Sequence, residues 1–216
     1  MRFRAAPIAI AAAVALLAAA PADAGFRKQL GAAGMADVTG YAPGIVVDMQ
    51  YATEHNFTGA RLPGYCEPLA FLRRRAARAL GRAQMRLAED GLGLRVLDAY
   101  RPARASRAMV RWAVRAGRPE LLDGYIARRS NHNRGVAVDL TPIRLETGRS
   151  LDMGTKFDAF STRAWTANAS GKPLRNRLRL RAAMEASGFR NYRREWWHYD
   201  YGGDPRAPSI DVPLGC

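Results

Sequence analysis

The sequence has few lysines and cysteines and almost no long hydrophobic runs. The only long apolar run spans residues 5 to 20, and charged residues interrupt every later stretch within a few positions. This pattern excludes a multispan membrane protein. Over 216 residues, 48% hydrophobic and 25% charged residues also exclude collagen-like, coiled-coil and wholly disordered chains. Because no repeat or low-complexity linker divides the chain, we expect one domain with a hydrophobic core.

The N-terminal apolar run has the three parts of a secretory signal peptide. Residues 1 to 4 supply positive charge, an Ala/Val/Leu/Ile stretch supplies the apolar centre, and Ala-Asp-Ala at 22–24 supplies small residues at a cleavage site. The sequence therefore predicts a signal peptide at 1–24 and a mature domain at 25–216, which is periplasmic or secreted. An uncleaved membrane anchor is the alternative. The run is short for a membrane span, so we expect no stable span after cleavage.

The chain is strongly basic, with a formal net charge of +15, although it has few lysines. After signal cleavage 32 basic residues remain against 18 acidic ones, and such a surface could contact nucleic acid, anionic lipid or an anionic envelope polymer. Arginines outnumber lysines by 31 to 3 along an alanine-rich chain, which we interpret first as a coding bias. The densest run, at 73–75, lacks the interleaved aromatic residues that stack on bases. We predict no nucleic-acid partner and leave electrostatic contact with anionic envelope polymers open.

Two cysteines, Cys66 and Cys216, remain in a chain that is predicted to enter an oxidising compartment. An even number of cysteines in such a compartment favours a disulfide. Spacing alone says nothing about the distance between the two residues. One buried thiol and one free C-terminal thiol therefore remain the alternative.

Hydrophobic spacing indicates short strands and three amphipathic helices after the signal peptide. Period-two alternation predicts strands, and apolar residues three and four apart predict helices that end near glycines. The predicted strands cover 44–51, 94–100, 136–140 and 194–201, the predicted helices cover 68–90, 104–116 and 177–187, and the main loops cover 55–65 and 141–173. This order does not alternate regularly enough for a doubly wound parallel sheet. We expect an α+β fold, a single domain with a small, mainly antiparallel sheet flanked by helices.

Only three histidines occur, and two of them lie in carboxylate-bearing segments beside predicted strands. His132 precedes a turn, and Asp139 follows it on a strand that otherwise has the character of core. A buried carboxylate needs a partner, because an unpaired buried charge is heavily penalised. A metal ion is one such partner: catalytic Zn²⁺ takes three protein ligands and keeps one position for water, and His132, Asp139 and His198 would supply the three. The remaining histidine, His55, is interpreted as a loop residue without a role.

Glu195 stands three residues before His198, in the segment Glu-Trp-Trp-His. A carboxylate beside a metal-bound water can take the proton of the water and pass it to the leaving amine, as a hydrolase requires. The alternative is that His198 and the tryptophans form an aromatic core strand, with Glu195 at its solvated end.

Together with a third segment, Asp-Ala-Tyr-Arg-Pro at 98–102, these motifs resemble the D-alanyl-D-alanine dipeptidase family of zinc peptidases. The matching segments come in the order of the family and cover about residues 40 to 201. The remaining matches are Tyr-Ala-Thr at 51–53, Asn-Phe-Thr-Gly at 56–59, Ser-x-His-x-x-Gly-x-Ala-x-Asp at 130–139, Asp-Met-Gly-Thr at 152–155, Phe-Asp at 157–158 and Glu-Trp-Trp-His-Tyr at 195–199. The resemblance implies the fold of the zinc D-Ala-D-Ala peptidases, which is Hedgehog-like.

The resemblance also implies roles for individual residues. One zinc ion would be bound by His132, Asp139 and His198, and Glu195 would act as general base and acid. Arg101 would stabilise the oxyanion of the tetrahedral intermediate, a task that suits a side chain that is always charged and carries several donors. The alternative for Arg101 is a surface ion pair with the nearby aspartate at position 98.

Four further residues fall where this family shapes its small substrate pocket, namely Tyr51, Tyr65, Ser130 and Asp158. A free dipeptide presents an ammonium group and a carboxylate, so an acid for the first and hydroxyl donors for the second make chemical sense. Asp158 is the candidate for the ammonium group. The alternative for Ser130 and Asp158 is an ordinary role in turns.

The function implied by the resemblance is that of an exported zinc dipeptidase, which hydrolyses D-alanyl-D-alanine to two D-alanines in peptidoglycan dipeptide turnover or scavenging. A D,D- or L,D-carboxypeptidase that acts on peptidoglycan stem peptides is the nearest alternative, and only a closed pocket beyond the substrate amine would distinguish the two. A non-catalytic, zinc-stabilised module that binds the cell wall is an alternative of another class. The presence of Glu195 and Arg101 argues against it, because a structural metal needs neither residue.

Overall fold

The structure is a computed structural model and describes residues 21–216. The first 20 residues of the predicted signal peptide lie outside the described residues. In the described part of the chain, no helix is both long enough and apolar enough to cross a membrane. The elements in this part are α1 (Pro21–Ala32), β1 (Met35–Asp37), β2 (Val46–Val47), β3 (Phe71–Arg73), α2 (Arg74–Ala88), β4 (Leu92–Asp98), α3 (Ala103–Arg115), β5 (Ala137–Arg144), α4 (Gly171–Glu185), β6 (Phe189–Asn191) and β7 (His198–Tyr201).

A five-stranded sheet with the order β2-β4-β5-β7-β6 forms the centre of the fold. Strands β2 and β4 run parallel, and the other three neighbouring pairs run antiparallel. Strands β1 and β3 form a separate antiparallel pair. The predicted α+β class with a small, mainly antiparallel sheet flanked by helices is thereby confirmed.

The first long helix begins later than its apolar spacing predicts. Residues 71–73 form β3 instead of helix, because they pair with β1 and because the Arg73 N–H donates to the Gly135 carbonyl. Helix α2 therefore begins at Arg74. The predicted strand at 44–51 is shortened to β2, and α4 begins six residues before its predicted start.

Helix α2 packs its apolar side against the central sheet, because its apolar residues recur three and four apart. Its buried side chains join strand residues in one core cluster, whose members from α2, β4 and β5 include Ala76, Leu80, Ala83, Leu87, Leu94, Val96, Val138 and Leu140. Gly81 of the same helix lies against the backbone carbonyl of Tyr41, where a Cβ atom would clash. Only glycine at this position allows the helix to approach that loop so closely.

Two features of the central sheet bring carboxylates to the face that α2 does not cover. Side chains alternate along a strand, so Asp139 points away from its core neighbours Val138 and Leu140. In β4 the register shifts between Val96 and Asp98, so that Asp98 lies opposite Asp139 and shares its face. Asp98 and Asp139 are 0% and 3% exposed. The fold therefore places two buried carboxylates side by side.

A disulfide joins Cys66 to the C-terminal residue Cys216. Backbone hydrogen bonds hold the same two segments together, since the Cys66 N–H donates to the Leu214 carbonyl and the Leu214 N–H donates to the Gly64 carbonyl. The bond closes a loop with a sequence separation of 150 residues, which stabilises the folded state by about 2–5 kcal/mol in the chain-entropy model. The C-terminal segment is thus fixed beside the loop that carries Tyr65.

Candidate active site

His132, Asp139 and His198 form a cluster whose donor atoms face one another. His132 lies in the short 3₁₀ helix Asn131–Arg134, Asp139 lies in β5, and His198 begins β7 directly opposite Asp139. His132 Nε2 is 3.1 Å from His198 Nδ1 and 3.4 Å from Asp139 Oδ1, and His198 Nδ1 is 2.9 Å from Asp139 Oδ1. The structure therefore brings together the three residues that sequence analysis selected as metal ligands.

The outer nitrogen of each histidine ring is held by an oxygen acceptor. His132 Nδ1 lies 2.7 Å from the Ala99 carbonyl, and His198 Nε2 lies 3.1 Å from Asp200 Oδ1. With the ring proton on the outer nitrogen, the inner nitrogen keeps a free lone pair, as metal-binding histidines require. Asp200 is in turn held by the side-chain amide of Asn131 at 3.0 Å. These contacts orient both rings toward the centre of the cluster.

The donor set fits a zinc ion. Ligand atoms about 2.0–2.1 Å from a tetrahedral Zn²⁺ lie about 3.3 Å from one another, and the donor atoms of the cluster lie 2.9–3.4 Å apart. Two imidazole nitrogens and one carboxylate oxygen are also ligands that zinc takes in catalytic sites. Burial raises the pKa of Asp139, but the two histidines outweigh burial and hold that pKa below its ordinary value. The carboxylate is thus kept in the charged form that a metal binds.

Glu195 lies at the edge of the cluster, in a turn that precedes β7. Its N–H donates to the Tyr192 carbonyl and the His198 N–H donates to the Glu195 carbonyl, which delays the last strand from its predicted start at residue 194 to His198. Glu195 Oε2 lies 3.9 Å from His198 Nδ1, and the residue is 8% exposed. Burial raises the pKa of Glu195 to about 8, although the charge of His198 opposes this shift. Glu195 is therefore a buried carboxylate beside the cluster and not the solvated end of a core strand.

Arg101 reaches the cluster from the end of β4 and is held by a buried carboxylate. Its Nε and Nη2 donate to the same oxygen of Asp98 at 3.0 and 2.7 Å, and Nη2 lies 3.9 Å from Asp139 Oδ2. Burial lowers the pKa of Arg101, but the charge of Asp98 and its neighbours raises it well above its ordinary value. The pair of Arg101 and Asp98 is therefore buried, unlike the surface ion pair considered from the sequence.

A cavity of about 250 Å³ opens over the cluster. Its lining includes the three cluster residues, Glu195 and Arg101, together with three of the four predicted pocket residues, which are Tyr51, Ser130 and Asp158. The Ser130 side chain accepts a hydrogen bond from the His132 N–H at 3.2 Å. Ser130 thus caps the short helix that carries His132 and also faces the cavity.

Tyr51 and Asp158 are joined to each other in the wall of this cavity. The Tyr51 hydroxyl donates to the Asp158 carboxylate, with oxygen distances of 2.9 and 3.2 Å. Burial raises the pKa of Asp158 well above its ordinary value, and the negative charge of Asp139 raises it further. A positively charged group bound in the cavity would therefore be strongly favoured next to Asp158.

Tyr65, the fourth predicted pocket residue, lies behind Arg101 and does not line the cavity. Its hydroxyl donates to Asp98 Oδ1 at 2.5 Å, and the residue is fully buried. Asp98 also lies 3.3 Å from His132 Nδ1. Because Asp98 takes the hydroxyl of Tyr65, this tyrosine supports Arg101 and has no free donor for a substrate.

Sequence reasoning assigned no role to Asp200 and none beyond ion pairing to Asp98. Asp200 stands two residues after His198 on a predicted strand, and such residues share a face. This spacing could have indicated that Asp200 contacts the His198 ring. Asp98 stands in the segment that matched the family, but its orientation depends on the register shift in β4. No residue pattern in β4 predicted this register shift.

A family model and the curated relatives of this chain indicate the same family. A model of the family Peptidase_M15, D-ala-D-ala dipeptidase, matches residues 31–212. The D-alanyl-D-alanine dipeptidase of Enterococcus faecium is 38% identical over 188 residues, which cover 79% of this chain and 93% of that protein. The D-alanyl-D-alanine dipeptidase of Escherichia coli (strain K12) is 35% identical over 184 residues, which cover 84% of this chain and 92% of that protein. Among solved structures, the vancomycin resistance D,D-dipeptidase VanXYg in complex with a D-Ala-D-Ala phosphinate analogue matches with a TM-score of 0.43 and 16% identity, over 80% of this chain and 68% of that one.

Removal of the Tyr65 hydroxyl should reduce turnover by loosening Arg101. We expect Tyr65→Phe to lower kcat for dipeptide hydrolysis with little change in KM, and to lower the free energy of unfolding by about 1–3 kcal/mol, because the buried Asp98 loses a donor. Tyr100→Phe is the matched control: this tyrosine is also fully buried, but its hydroxyl bonds the backbone of Val212. The control should lose stability and keep kcat. Steady-state kinetics and denaturant unfolding measure both, and an unchanged kcat in Tyr65→Phe would refute the positioning role.

Proposed function

The chain belongs to the D-ala-D-ala dipeptidase family, Peptidase_M15, and we propose that it hydrolyses D-alanyl-D-alanine to two D-alanines with one bound Zn²⁺. It is a metallopeptidase, and its relatives support the dipeptidase activity. The observation that carries the proposal is a triangle of donor atoms 2.9–3.4 Å apart in a cavity that also holds Glu195 and Arg101. A metal that only stabilised a wall-binding module would need neither of these two residues.

The metal ligands in this proposal are His132 Nε2, Asp139 Oδ1 and His198 Nδ1. When bound, the ion supplies Lewis acidity, which polarises the scissile carbonyl and lowers the pKa of water. The Ala99 carbonyl and Asp200 orient the two imidazole rings, so that their inner nitrogens face the position of the ion.

Glu195 acts as general base and then as general acid. Its carboxylate is buried beside the cluster, and burial makes it a stronger proton acceptor than an exposed glutamate. It takes a proton from the attacking water and delivers that proton to the amine of the leaving D-alanine. One residue thus serves both bond formation and bond cleavage.

Arg101 stabilises the negative charge that develops on the carbonyl oxygen of the scissile peptide bond. Two of its nitrogens are fixed by Asp98, so the guanidinium does not need to reorganise when charge appears. A donor that is oriented in advance contributes most to such stabilisation.

The two ends of the dipeptide meet different groups. Asp158, held by Tyr51, binds the ammonium group, whose charge restores the ionised form of this buried acid. The Ser130 oxygen already accepts the His132 N–H, while its own hydroxyl proton has no acceptor within residues 21–216. Ser130 therefore donates to the substrate carboxylate.

The size of the cavity and the groups at its amine end favour a free dipeptide over a stem peptide. The volume of about 250 Å³ lies just below the range of about 300–1,000 Å³ that holds drug-sized ligands. Tyr51 and Asp158 occupy the wall at the amine end, and the Phe157 ring packs between Tyr51 and Trp197 beside them. A D,D- or L,D-carboxypeptidase would need open space there, so a strict dipeptidase is the preferred specificity.

Export, with turnover or scavenging of peptidoglycan dipeptides, completes the proposal. The hydrophobic core begins shortly after the predicted cleavage site, with Phe26 and Leu30 of α1 at 4% and 0% exposed. Cleavage after residue 24 keeps both of these residues in the mature protein. An exported enzyme meets dipeptides from the existing wall and not the cytoplasmic pool that supplies new wall.

Metal content and activity should separate the role of Glu195 from that of the ligands. We expect Glu195→Gln to keep one zinc per chain and to lose about 10²–10⁴ in rate, because only the proton acceptor is removed. His198→Ala should lower zinc occupancy, because it removes one of three protein ligands. Glu185→Gln, on the exposed side of α4, is the matched control and should change neither. Metal analysis beside D-Ala-D-Ala hydrolysis tests this, and a Glu195→Gln protein that retains activity or loses its zinc would overturn the assignment.

A blocked amine should abolish recognition by Asp158. We expect N-acetyl-D-Ala-D-Ala to be a very poor substrate. We also expect Asp158→Asn to raise KM for D-Ala-D-Ala by about 10- to 100-fold, which corresponds to the free energy of one hydrogen bond to a charged group. Asp152→Asn, an exposed aspartate in the same loop, should leave KM unchanged. Efficient hydrolysis of the acetylated dipeptide or of a pentapeptide stem would favour the carboxypeptidase.

The mature N-terminus should be residue 25. We expect intact mass measurement of the protein from the envelope or periplasmic fraction of its host to show a chain that begins at Gly25, because the Ala-Asp-Ala segment precedes it. Active protein in the cytosolic fraction with residues 1–24 intact would refute both the export and the scavenging role.

A further inference from the structure

Helix α2 presents a row of cations to solvent on the side that faces away from the sheet. Arginine occupies five exposed positions, which we call the arginine face: Arg74, Arg75, Arg78, Arg82 and Arg86. No aspartate or glutamate occurs between Glu67 and Glu89. The helix therefore concentrates positive charge without any acidic residue of its own.

Several exposed arginines elsewhere have carboxylate partners. Arg104 and Arg107 both contact Asp211, and Arg181 contacts Glu185 one turn away. Within residues 21–216, by contrast, no carboxylate lies at ion-pair distance from any residue of the arginine face. Two of its members donate only to backbone carbonyls, Arg74 to Gly31 and Arg82 to Ser187. No carboxylate of the described chain therefore neutralises the positive charge of the arginine face.

The arrangement does not serve the stability of the helix. Arginines four residues apart, such as Arg74, Arg78, Arg82 and Arg86, are neighbours on the helix surface, and like charges at this spacing destabilise it. Cations in the first turn also face the positive end of the helix dipole. Both unfavourable contributions turn favourable when an anion lies along the face.

We propose that the arginine face binds a linear polymer with repeated phosphate groups. The guanidinium group matches phosphate with paired hydrogen bonds. Successive members of the row at 74, 78, 82 and 86 are about 6 Å apart along the helix axis, so the row extends over about 18 Å. A row of this length can contact several phosphates of one chain at once. The proposal is independent of the dipeptidase activity.

The other polyanions in a cell fit this helix less well. Membrane-bound amphipathic helices bury an apolar side in lipid, whereas α2 buries its apolar side in the protein core and exposes a single large hydrophobic residue, Met85. Single-stranded nucleic acid is held by aromatic stacking, and no exposed position of α2 is aromatic. The chemistry of the helix thus favours a phosphate polymer without bases.

The position of the arginine face leaves the catalytic cavity accessible. Helix α2 covers the core side of the sheet, and Asp98 and Asp139 lie on the opposite face. The helix next to the cavity is α3, which contributes Met109 to its lining. A polymer along α2 would hold the enzyme in place with the cavity open to diffusing dipeptides.

The test compares two charge-reversed variants of the mature chain with the same change in net charge. Arg75→Glu/Arg86→Glu alters the arginine face at two residues whose side chains make no hydrogen bond or ion pair within the described chain. Arg111→Glu/Arg115→Glu alters exposed arginines of α3 and is the matched control. The probe is linear inorganic polyphosphate, with binding followed by fluorescence anisotropy over a series of salt concentrations. We expect the α2 variant to bind polyphosphate about tenfold or more weakly and with a smaller salt dependence, because it neutralises fewer phosphates. We expect the α3 control to weaken binding by less than about threefold.

Both variants should hydrolyse D-Ala-D-Ala at the rate of the parent chain, which verifies folding and keeps this test separate from that of the proposed function. If the α2 variant unfolds, Arg75→Gln/Arg86→Gln with Arg111→Gln/Arg115→Gln as control gives a smaller shift in the same direction. An equal loss of affinity in the α2 and α3 variants would show that only net charge matters and would overturn the proposal. Tighter binding to phosphatidylglycerol vesicles or to a single-stranded oligonucleotide than to polyphosphate would overturn it as well, as would an absence of polyphosphate binding at low salt.

Discussion

The buried carboxylate of Asp98 holds together the segments that form the candidate active site. Asp98 accepts hydrogen bonds from Tyr65 and Arg101 and lies beside His132. A buried negative charge is tolerated only when such donors surround it, so the loop of Tyr65, the end of β4 and the turn of His132 must converge on it. The same convergence places the Arg101 guanidinium group, whose Nη1 contacts Met109 Sδ, in the lining of the cavity. One set of contacts thus stabilises the buried charge and also orients the side chains of the candidate active site.

The sequence predicted this site better than it predicted the backbone around it. His132, Asp139, His198, Glu195 and Arg101 were selected from motifs, and motifs record chemistry directly. The structure gathers all five around one cavity.

The places where prediction failed depend on contacts between distant segments. Tyr65 was assigned to the pocket because its position matched the family, but its hydroxyl is taken by Asp98, 33 residues away. Residues 71–73 continue the helical spacing of α2, yet pairing with β1 makes them a strand. The register shift in β4 likewise reflects its pairing with β5. Local propensity cannot report such partners, since their free energy arises only when the chain has folded.

The disulfide between Cys66 and Cys216 joins two segments that are synthesised at different times. A polypeptide emerges from the ribosome or from a translocation channel with its N-terminus first, so this bond cannot form until Cys216 has emerged, 150 residues after Cys66. The neighbouring residue, Tyr65, braces Asp98 and through it Arg101. The candidate active site therefore receives this covalent support late, only after the segment that carries Cys216 has emerged. For an exported chain, the bond closes outside the cytoplasm, where thiols are no longer kept reduced.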